Sequence, residues 1–369
     1  MHPAAATLTI DLGALQANWR LLSARVAPAR CGAVVKANAY GLGAERVVRA
    51  LLRAGCREFF VAVVEEGVRL RESLDGDWPA DARVHVLHGP LPGAERDCLA
   101  YGLVPVLNSL EQIERWQALA RQQGKALPAA IQADTGMARL GLAPPALARL
   151  LDQPGALDGV ATTLVMSHLV SAEEPAAPTN ALQLDRFHAV RARLPAAAGC
   201  LANSSGIFLG SAYHFDLARP GAALYGVAPT VGQPNPMRPV VRIQARLIQW
   251  RDVAAGEAVG YNHTWVAPRA SRIATLSVGY ADGYLRSASN RASVRLDGVA
   301  FPVVGRISMD TVTVDVTEVA PDRLAPGTLF DVVDEVQDIN ALAAQAGTNA
   351  YEILTSLGSR YRRHYLNEP

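Results

Sequence analysis

Lys36 closes a short apolar run, Ala33-Val34-Val35, and is followed by Ala-Asn-Ala-Tyr-Gly-Leu-Gly at 37–43. A lysine at the end of a buried strand is partly stripped of water. Desolvation lowers the pKa of an ammonium and makes its amine available as a nucleophile. Two later segments, NSSG at 203–206 and RPG at 219–221, carry hydroxyls and exposed backbone N–H groups of the kind that hold a phosphate. Tyr40 adds a phenolic donor close behind the lysine. An amine beside a phosphate cradle suits Schiff-base formation with a phosphate-bearing aldehyde, pyridoxal 5'-phosphate. Alone, Lys36 reads as an end-of-strand lysine snorkelling to solvent; the loops turn the reading towards chemistry.

Other chemistries find less support. Cys31, Cys56, Cys98 and Cys200 form no CxxC pair, so no metal and no dithiol redox centre is expected. Lys plus Arg (35) nearly cancels Asp plus Glu (34), leaving +1, which lacks the basic field that non-specific nucleic-acid binding needs. Half the residues are hydrophobic, enough for a sizeable core and too many for a disordered chain. The sequence has no run of eighteen apolar residues and no basic, apolar leader. A cytoplasmic location with reduced thiols is therefore expected.

The elements that must position these groups follow from periodicity. Eight apolar runs read as buried strands: 31–36, 58–64, 83–88, 103–107, 129–134, 162–168, 200–204 and 215–226. Between them lie stretches with helical spacing, such as 44–54 and 109–124, the latter with Ser109 as N-cap, Gln112 completing a capping box and Gly124 past the end. Apolar strands with helical crossovers imply a parallel sheet covered on both faces. Eight units predict an α/β fold, a (β/α)8 TIM-like barrel over residues 1–235, with a doubly wound sheet as the alternative. After about Pro236 the runs become β-branched or alternating, at 240–250, 271–280, 293–307 and 311–316, and are separated by turn residues such as Asp297-Gly298. A mainly antiparallel β domain is predicted over 236–369, ending in helical segments at 339–347 and 350–358.

A parallel barrel gathers its active site at the carboxyl ends of its strands. Lys36, Asp134 with 135–141, Ser167 and His168, Asn203 and Ser204, and Arg219 with Gly221 occupy those ends. Three further residues have plain structural readings when taken singly. Tyr261 reads as a half-buried tyrosine packed at an interface, Arg219 as an ion-pair partner of Asp216, and Tyr351 as helix packing.

Nine segments, in order, resemble the motifs of the alanine racemase family: VVKANAYGLG (34–43), DTGMARLGL (134–142), MSHL (166–169), NSSGIF (203–208), RPGAALYG (219–226), VGYNHTW (259–265), VGYADGY (278–284), GRISMD (305–310) and YE (351–352). The resemblance spans about residues 7 to 361. It implies a pyridoxal 5'-phosphate enzyme that interconverts L- and D-alanine, supplying D-alanine for peptidoglycan or catabolising it. It also implies a homodimer whose active sites are shared between subunits. Lys36 and Tyr261, the latter from the partner subunit, would be the two acid–base groups on opposite faces of the substrate. Arg139 and His168 would lie near Tyr261, and Arg219 would face the ring nitrogen, with Asn203 beside the cofactor. Tyr40, Ser204, Gly221 and Tyr351 would hold the phosphate. Met309 would bind the substrate carboxylate through its N–H, while Tyr280, Tyr351 and Asp310 would shape the entrance. One departure is Gln132, where many members carry a carbamylated lysine facing the arginine that matches Arg139; no modified lysine is expected here. A serine or broader-specificity racemase, or a non-catalytic cofactor-binding barrel, are the alternative readings.

Overall fold

The computed structural model describes residues 4–74 and 76–368. The chain clusters into two compact units, one of Leu15–Leu224 with Ala228–Met237, the other of residues 4–14 with Tyr225–Val227 and Arg238–Glu368.

In the first unit, seven parallel strands lie side by side in chain order: Ala33–Val34, Glu58–Val61, Arg83–Val86, Leu103–Leu107, Leu127–Gln132, Val160–Met166 and Ala198–Cys200. Leu217–Ala218 is the eighth. It pairs in parallel with Arg30–Cys31, and Gly32 and Val34 donate N–H bonds to the carbonyls of Ala218 and Pro220, both at 2.8 Å. On its other side Asp216 and Arg219 donate to the carbonyls of Gly199 and Ala202, at 3.1 and 3.0 Å. Eight strands thus close the barrel. Its interior is filled by Val34, Phe60, Val106, Ala130, Leu164, Met166, Cys200 and Leu217, all buried. That layer explains why the strands read as continuous apolar runs.

The helices follow their sequence signals. Ala44–Ala54 buries Val47, Val48, Ala50, Leu51 and Leu52. Leu110–Gln123 is capped by Ser109, whose hydroxyl accepts the Gln112 N–H, and stops at left-handed Gly124. The expected capping box closes differently, because the Gln112 side chain accepts from the N–H of Asn108 rather than of Ser109. The run 215–226 is strand only at Leu217–Ala218 and turns 3-10 helical at Ala222–Tyr225. Pro220 between them has no N–H to extend the ladder.

The second unit is a largely antiparallel sheet with strand order Val299–Pro302, Ser293–Leu296, Leu329–Val333, Val241–Val253, Ala6–Asp11, Arg362–Leu366. Ser271–Leu276 pairs with the far half of Val241–Val253, and Val312–Asp315 pairs with Ser271–Leu276. Asp297-Gly298 makes the predicted hairpin turn with both residues at positive φ, 48° and 83°. Residues 4–14 lie in this unit, not with the barrel that follows them. Ala6–Asp11 alternates buried and half-buried residues and inserts between Val241–Val253 and Arg362–Leu366. Among the described residues, no helix is long and apolar enough to cross a membrane.

Near the amino-terminal end of the barrel strands sits a buried acid. Glu58 accepts a hydrogen bond from His85 at 2.7 Å and pairs with Arg30, with Arg83 at 3.8 Å. Burial alone would raise the Glu58 pKa, but the His85 hydrogen bond and the nearby cationic groups outweigh it and hold the carboxyl below its ordinary value. A carboxylate with a depressed folded-state pKa contributes stability above its unfolded value of about 4.3 and loses it as the pH falls through the lower folded value. The Glu58→Gln variant should therefore show a shallower fall in melting temperature between pH 5 and 3 than the parent. Parallel acid profiles by calorimetry would contradict this.

Candidate active site

Lys36 stands where the first barrel strand ends, and the backbone then turns left-handed. Ala37, Asn38, Ala39 and Tyr40 all have φ between 51° and 54°, and Gly41 follows at 82°. Each non-glycine residue in that region costs about 1–2 kcal/mol, so the turn needs partners. Glu66 accepts the Ala37 N–H at 2.6 Å, and Asn38 accepts the Ala44 N–H at 2.8 Å. The sequence carries no signal for this turn, since alanine is a poor left-handed residue. The Lys36 pKa is lowered by burial first, then by the charges of Arg139 and Arg219, with Glu66 opposing them.

Arg219 is 4% exposed. One terminal nitrogen donates to the Ser167 carbonyl at 2.5 Å and meets His168 Nδ1 at 2.9 Å. A guanidinium only donates, so Nδ1 accepts and the histidine proton resides on Nε2. Burial, followed by the charges of Arg219, Arg139 and Lys36, drives the His168 pKa well below its ordinary value. The imidazole is therefore neutral at pH 7. The pair with Asp216, the plain structural reading of Arg219 taken singly, does not form; Asp216 instead meets Arg191 at 3.2 Å. Arg219 Nε is buried without a hydrogen-bond partner. An orphaned buried donor costs about 1–3 kcal/mol, and a neutral aromatic nitrogen on a ligand would satisfy it.

The loops after the seventh and eighth strands converge. The Ser204 hydroxyl oxygen accepts the N–H groups of Gly221 and Ala223, at 2.9 and 3.1 Å. A Cβ placed on Gly221 would lie 2.4 Å from the Tyr40 hydroxyl, so only glycine leaves the phenol where it is. Asn203 accepts the Gly206 N–H at 2.8 Å and so shapes the same loop. Tyr40, Ser204 and Gly221 thus meet as the sequence reading anticipated, with the composition of a phosphate cradle.

A polar network links the strand-end residues Asp134, Thr135, Ser167 and His168, and one member of it, Gln183, escaped the sequence reading. Asp134 accepts the N–H groups of Gly136, Met137 and Ala138, folding the loop that carries Arg139. Thr135 and Ser167 share a hydroxyl hydrogen bond of 2.7 Å. Gln183, 2% exposed on helix Pro178–Arg191, donates to Thr135 at 3.2 Å and to the His168 carbonyl at 2.9 Å, and accepts the Val170 N–H at 2.9 Å. Its only sequence signal was a polar residue on the face a barrel helix buries. Gln132 is buried at the end of the fifth strand, its carbonyl accepting the Leu142 N–H at 2.8 Å.

The remaining expected residues belong to the second unit. Tyr280, Met309 and Asp310 are brought together: Tyr280 N–H bonds the Ser308 carbonyl and Ala281 N–H the Met309 carbonyl, both at 3.0 Å. A Cβ on Gly279 would fall 2.3 Å from the Met309 oxygen, so this approach requires glycine. Arg360, unmarked in the sequence, grips both carboxylates of the cluster. It is bidentate to Asp282 at 2.7 Å and reaches Asp310 at 2.6 Å. Tyr351 lies on helix Ala350–Ser356. Tyr261 opens a 3-10 turn in which Gly260, Asn262 and His263 have positive φ, and it is 65% exposed.

The Tyr40–Gly221 contact gives a direct test. Gly221→Ala should weaken pyridoxal 5'-phosphate binding by about tenfold, or about 1.4 kcal/mol, measured by equilibrium dialysis. In a Tyr40→Phe background, where the crowded hydroxyl is gone, the added penalty should shrink. An undiminished penalty there would refute the contact.

Comparison with known proteins gives the same reading over both units. Residues 10–229 match the family model "Alanine racemase, N-terminal domain", and residues 240–365 match "Alanine racemase, C-terminal domain". Alanine racemase of Rhodospirillum rubrum is 51% identical over 98% of this chain and 96% of its own length. A catabolic alanine racemase of Mesorhizobium japonicum is 48% identical over 98% and 94%. The crystal structure of alanine racemase from Bartonella henselae with covalently bound pyridoxal phosphate superposes with a TM-score of 0.94 at 42% identity, covering 99% of this chain and 100% of that one. With both domain models matched and half the residues shared over nearly the full length, the chain belongs to the alanine racemase family.

Proposed function

We propose that this protein interconverts L- and D-alanine with pyridoxal 5'-phosphate held at Lys36. The observation that carries the reading is the cluster of Lys36, Arg139, His168 and Arg219, with Arg219 Nε buried and unpartnered. That orphaned donor, the Tyr40–Ser204–Gly221 cradle and the lowered Lys36 pKa suit the ring nitrogen, phosphate and aldehyde of this one cofactor. When bound, the cofactor supplies the electron-withdrawing ring that acidifies the substrate α-carbon.

The chain's own groups do the rest. Lys36 Nζ takes or returns the α-proton on one face, its pKa lowered by burial and by Arg139 and Arg219. Tyr261 Oη serves the opposite face; an ordinary phenol titrates near about 10, so it needs a cationic neighbour to act as a base. Arg219 keeps its proton, so its Nε–H would donate a hydrogen bond to a ring nitrogen without protonating it, which would limit side reactions that a stronger electron sink favours. Neutral His168 passes its Nδ1 lone pair to Arg219 and keeps Nε2–H as a donor. Ser204, Tyr40, Gly221 and Tyr351 hold the phosphate, with Asn203 shaping that loop. The Met309 N–H binds the substrate carboxylate, and Tyr280 and Asp310 bound the entrance. Residues 1–235 form the cofactor-binding part and 236–369 the β part, with the opening strand lent to the latter.

Tyr261 serves the site of a second copy of the chain in this reading. Its 65% exposure, beside Met309 at 53%, supports a surface that a partner covers. The enzyme then works as a cytoplasmic homodimer, making D-alanine for peptidoglycan or consuming it, without nucleic acid or membrane as partner.

Two experiments test the reading. Exchange of D- and L-amino acids should be fastest for alanine and depend on added pyridoxal 5'-phosphate after dialysis; no exchange with any amino acid would end it. Borohydride should fix the cofactor on Lys36 and not on Lys125, the only other lysine in the chain. For the shared site, mixing a Lys36→Ala chain with a Tyr261→Phe chain should restore part of the activity, about a quarter if subunits exchange at random and each dimer site acts independently. Proven mixed dimers without rescue would count against sharing.

A further inference from the structure

Around Lys36, Arg139 from the loop after the fifth strand and Arg219 from the loop after the eighth are cationic, and His168 after the sixth is neutral. One carboxylate faces them. Glu66 sits in the first turn of helix Val64–Ser73, after the second strand. One oxygen accepts the Ala62 N–H at 2.8 Å, an ordinary way to finish a helix start. Its other oxygen leaves the helix and accepts the N–H of Ala37 at 2.6 Å, the residue directly after Lys36.

We propose that Glu66 is the positioning residue of the Lys36 turn: its carboxylate ties the loop after the second barrel strand to the left-handed segment 37–40 and sets the direction in which Lys36 leaves the strand. The inference rests on the proposed cofactor chemistry at Lys36. Four consecutive non-glycine residues at φ near 50° are held only where surrounding contacts over-determine them. The Ala37 N–H, the first donor of that segment, has Glu66 as its acceptor, a residue 29 positions away. Glu66 also supports the Lys36 ammonium electrostatically against Arg139 and Arg219. A helix cap alone would explain the Ala62 bond but neither of the other two observations.

The test uses the full-length chain stripped of cofactor, with its two lysines labelled competitively by acetic anhydride across pH and Lys125 as internal reference. Removing the negative charge should favour the neutral amine, so in Glu66→Gln the reactivity midpoint of Lys36 should fall by about half to one unit. That of Lys125 should stay. Borohydride fixation on the loaded protein should still reach Lys36, but cofactor loss on dialysis should be about tenfold faster than in the parent. A Lys36 midpoint that is unmoved or raised in a folded variant overturns the proposal. Where the variant does not fold, amide exchange in the parent decides: the Ala37 N–H should be protected to the same degree as the Ala62 N–H, and free exchange at Ala37 overturns it. Absence of fixation on Lys36 in the parent would instead sink the functional reading, so the two failures are distinct.

Discussion

The chemistry of this chain depends on crowding positive charge into a place where water is scarce. Lys36, Arg139 and Arg219 lie close enough that each guanidinium disfavours the lysine ammonium, and burial acts in the same direction. The same forces empty His168 of its second proton. Both effects have the sign that desolvation and like charges must have for a cationic acid. The result is a neutral imidazole and a lysine whose ammonium is disfavoured, at the mouth of a barrel beside two guanidinium groups that stay charged. Replacing Arg219 by a carboxylate would reverse the arrangement, pulling protons onto His168 and onto any ring nitrogen placed there.

Such crowding is costly, and the scaffold offsets it with hydrogen bonds from the strand-end loops. Each loop that brings a charge also brings a constraint. Asp134 gathers three N–H groups below Arg139, Gln183 bridges the loops of Thr135 and His168, and Ser204 collects N–H groups from the eighth loop. The left-handed turn after Lys36 stores about several kcal/mol of backbone strain at about 1–2 per residue. Strain of that kind concentrates at functional sites because a relaxed backbone would not aim the side chain there. In the second unit Arg360 does comparable work, fastening Asp282 and Asp310 so that Tyr280 and Met309 share one rigid corner.

Much of this was legible in the residues. Apolar runs of the right length gave the barrel strands, and reading their carboxyl ends named Lys36, His168, Ser204, Arg219 and Gly221 before any coordinate. Ser109 and Gly124 delimited their helix as capping chemistry requires. Less was legible where a residue's job is to hold another residue. Glu66, Gln183 and Arg360 look like ordinary helix or surface residues, because a hydrogen-bond partner distant along the chain leaves no local pattern. The opening strand was overlooked although Ala6–Asp11 alternates faithfully, since its partners, Val241–Val253 and Arg362–Leu366, lie at the other end of the chain.

The order of residues alone determined the periods, the strand ends and the types of chemical group available there, because hydrophobic spacing and side-chain chemistry are local properties. Tertiary structure decided the rest. Barrel closure set which loop faces which, and so made Arg219 a partner of His168 instead of Asp216 and fixed that imidazole's tautomer. The contact of Glu66 with Ala37 bent the backbone into a conformation that alanine does not choose alone. Those outcomes depend on distances across space, and only the closed fold sets them.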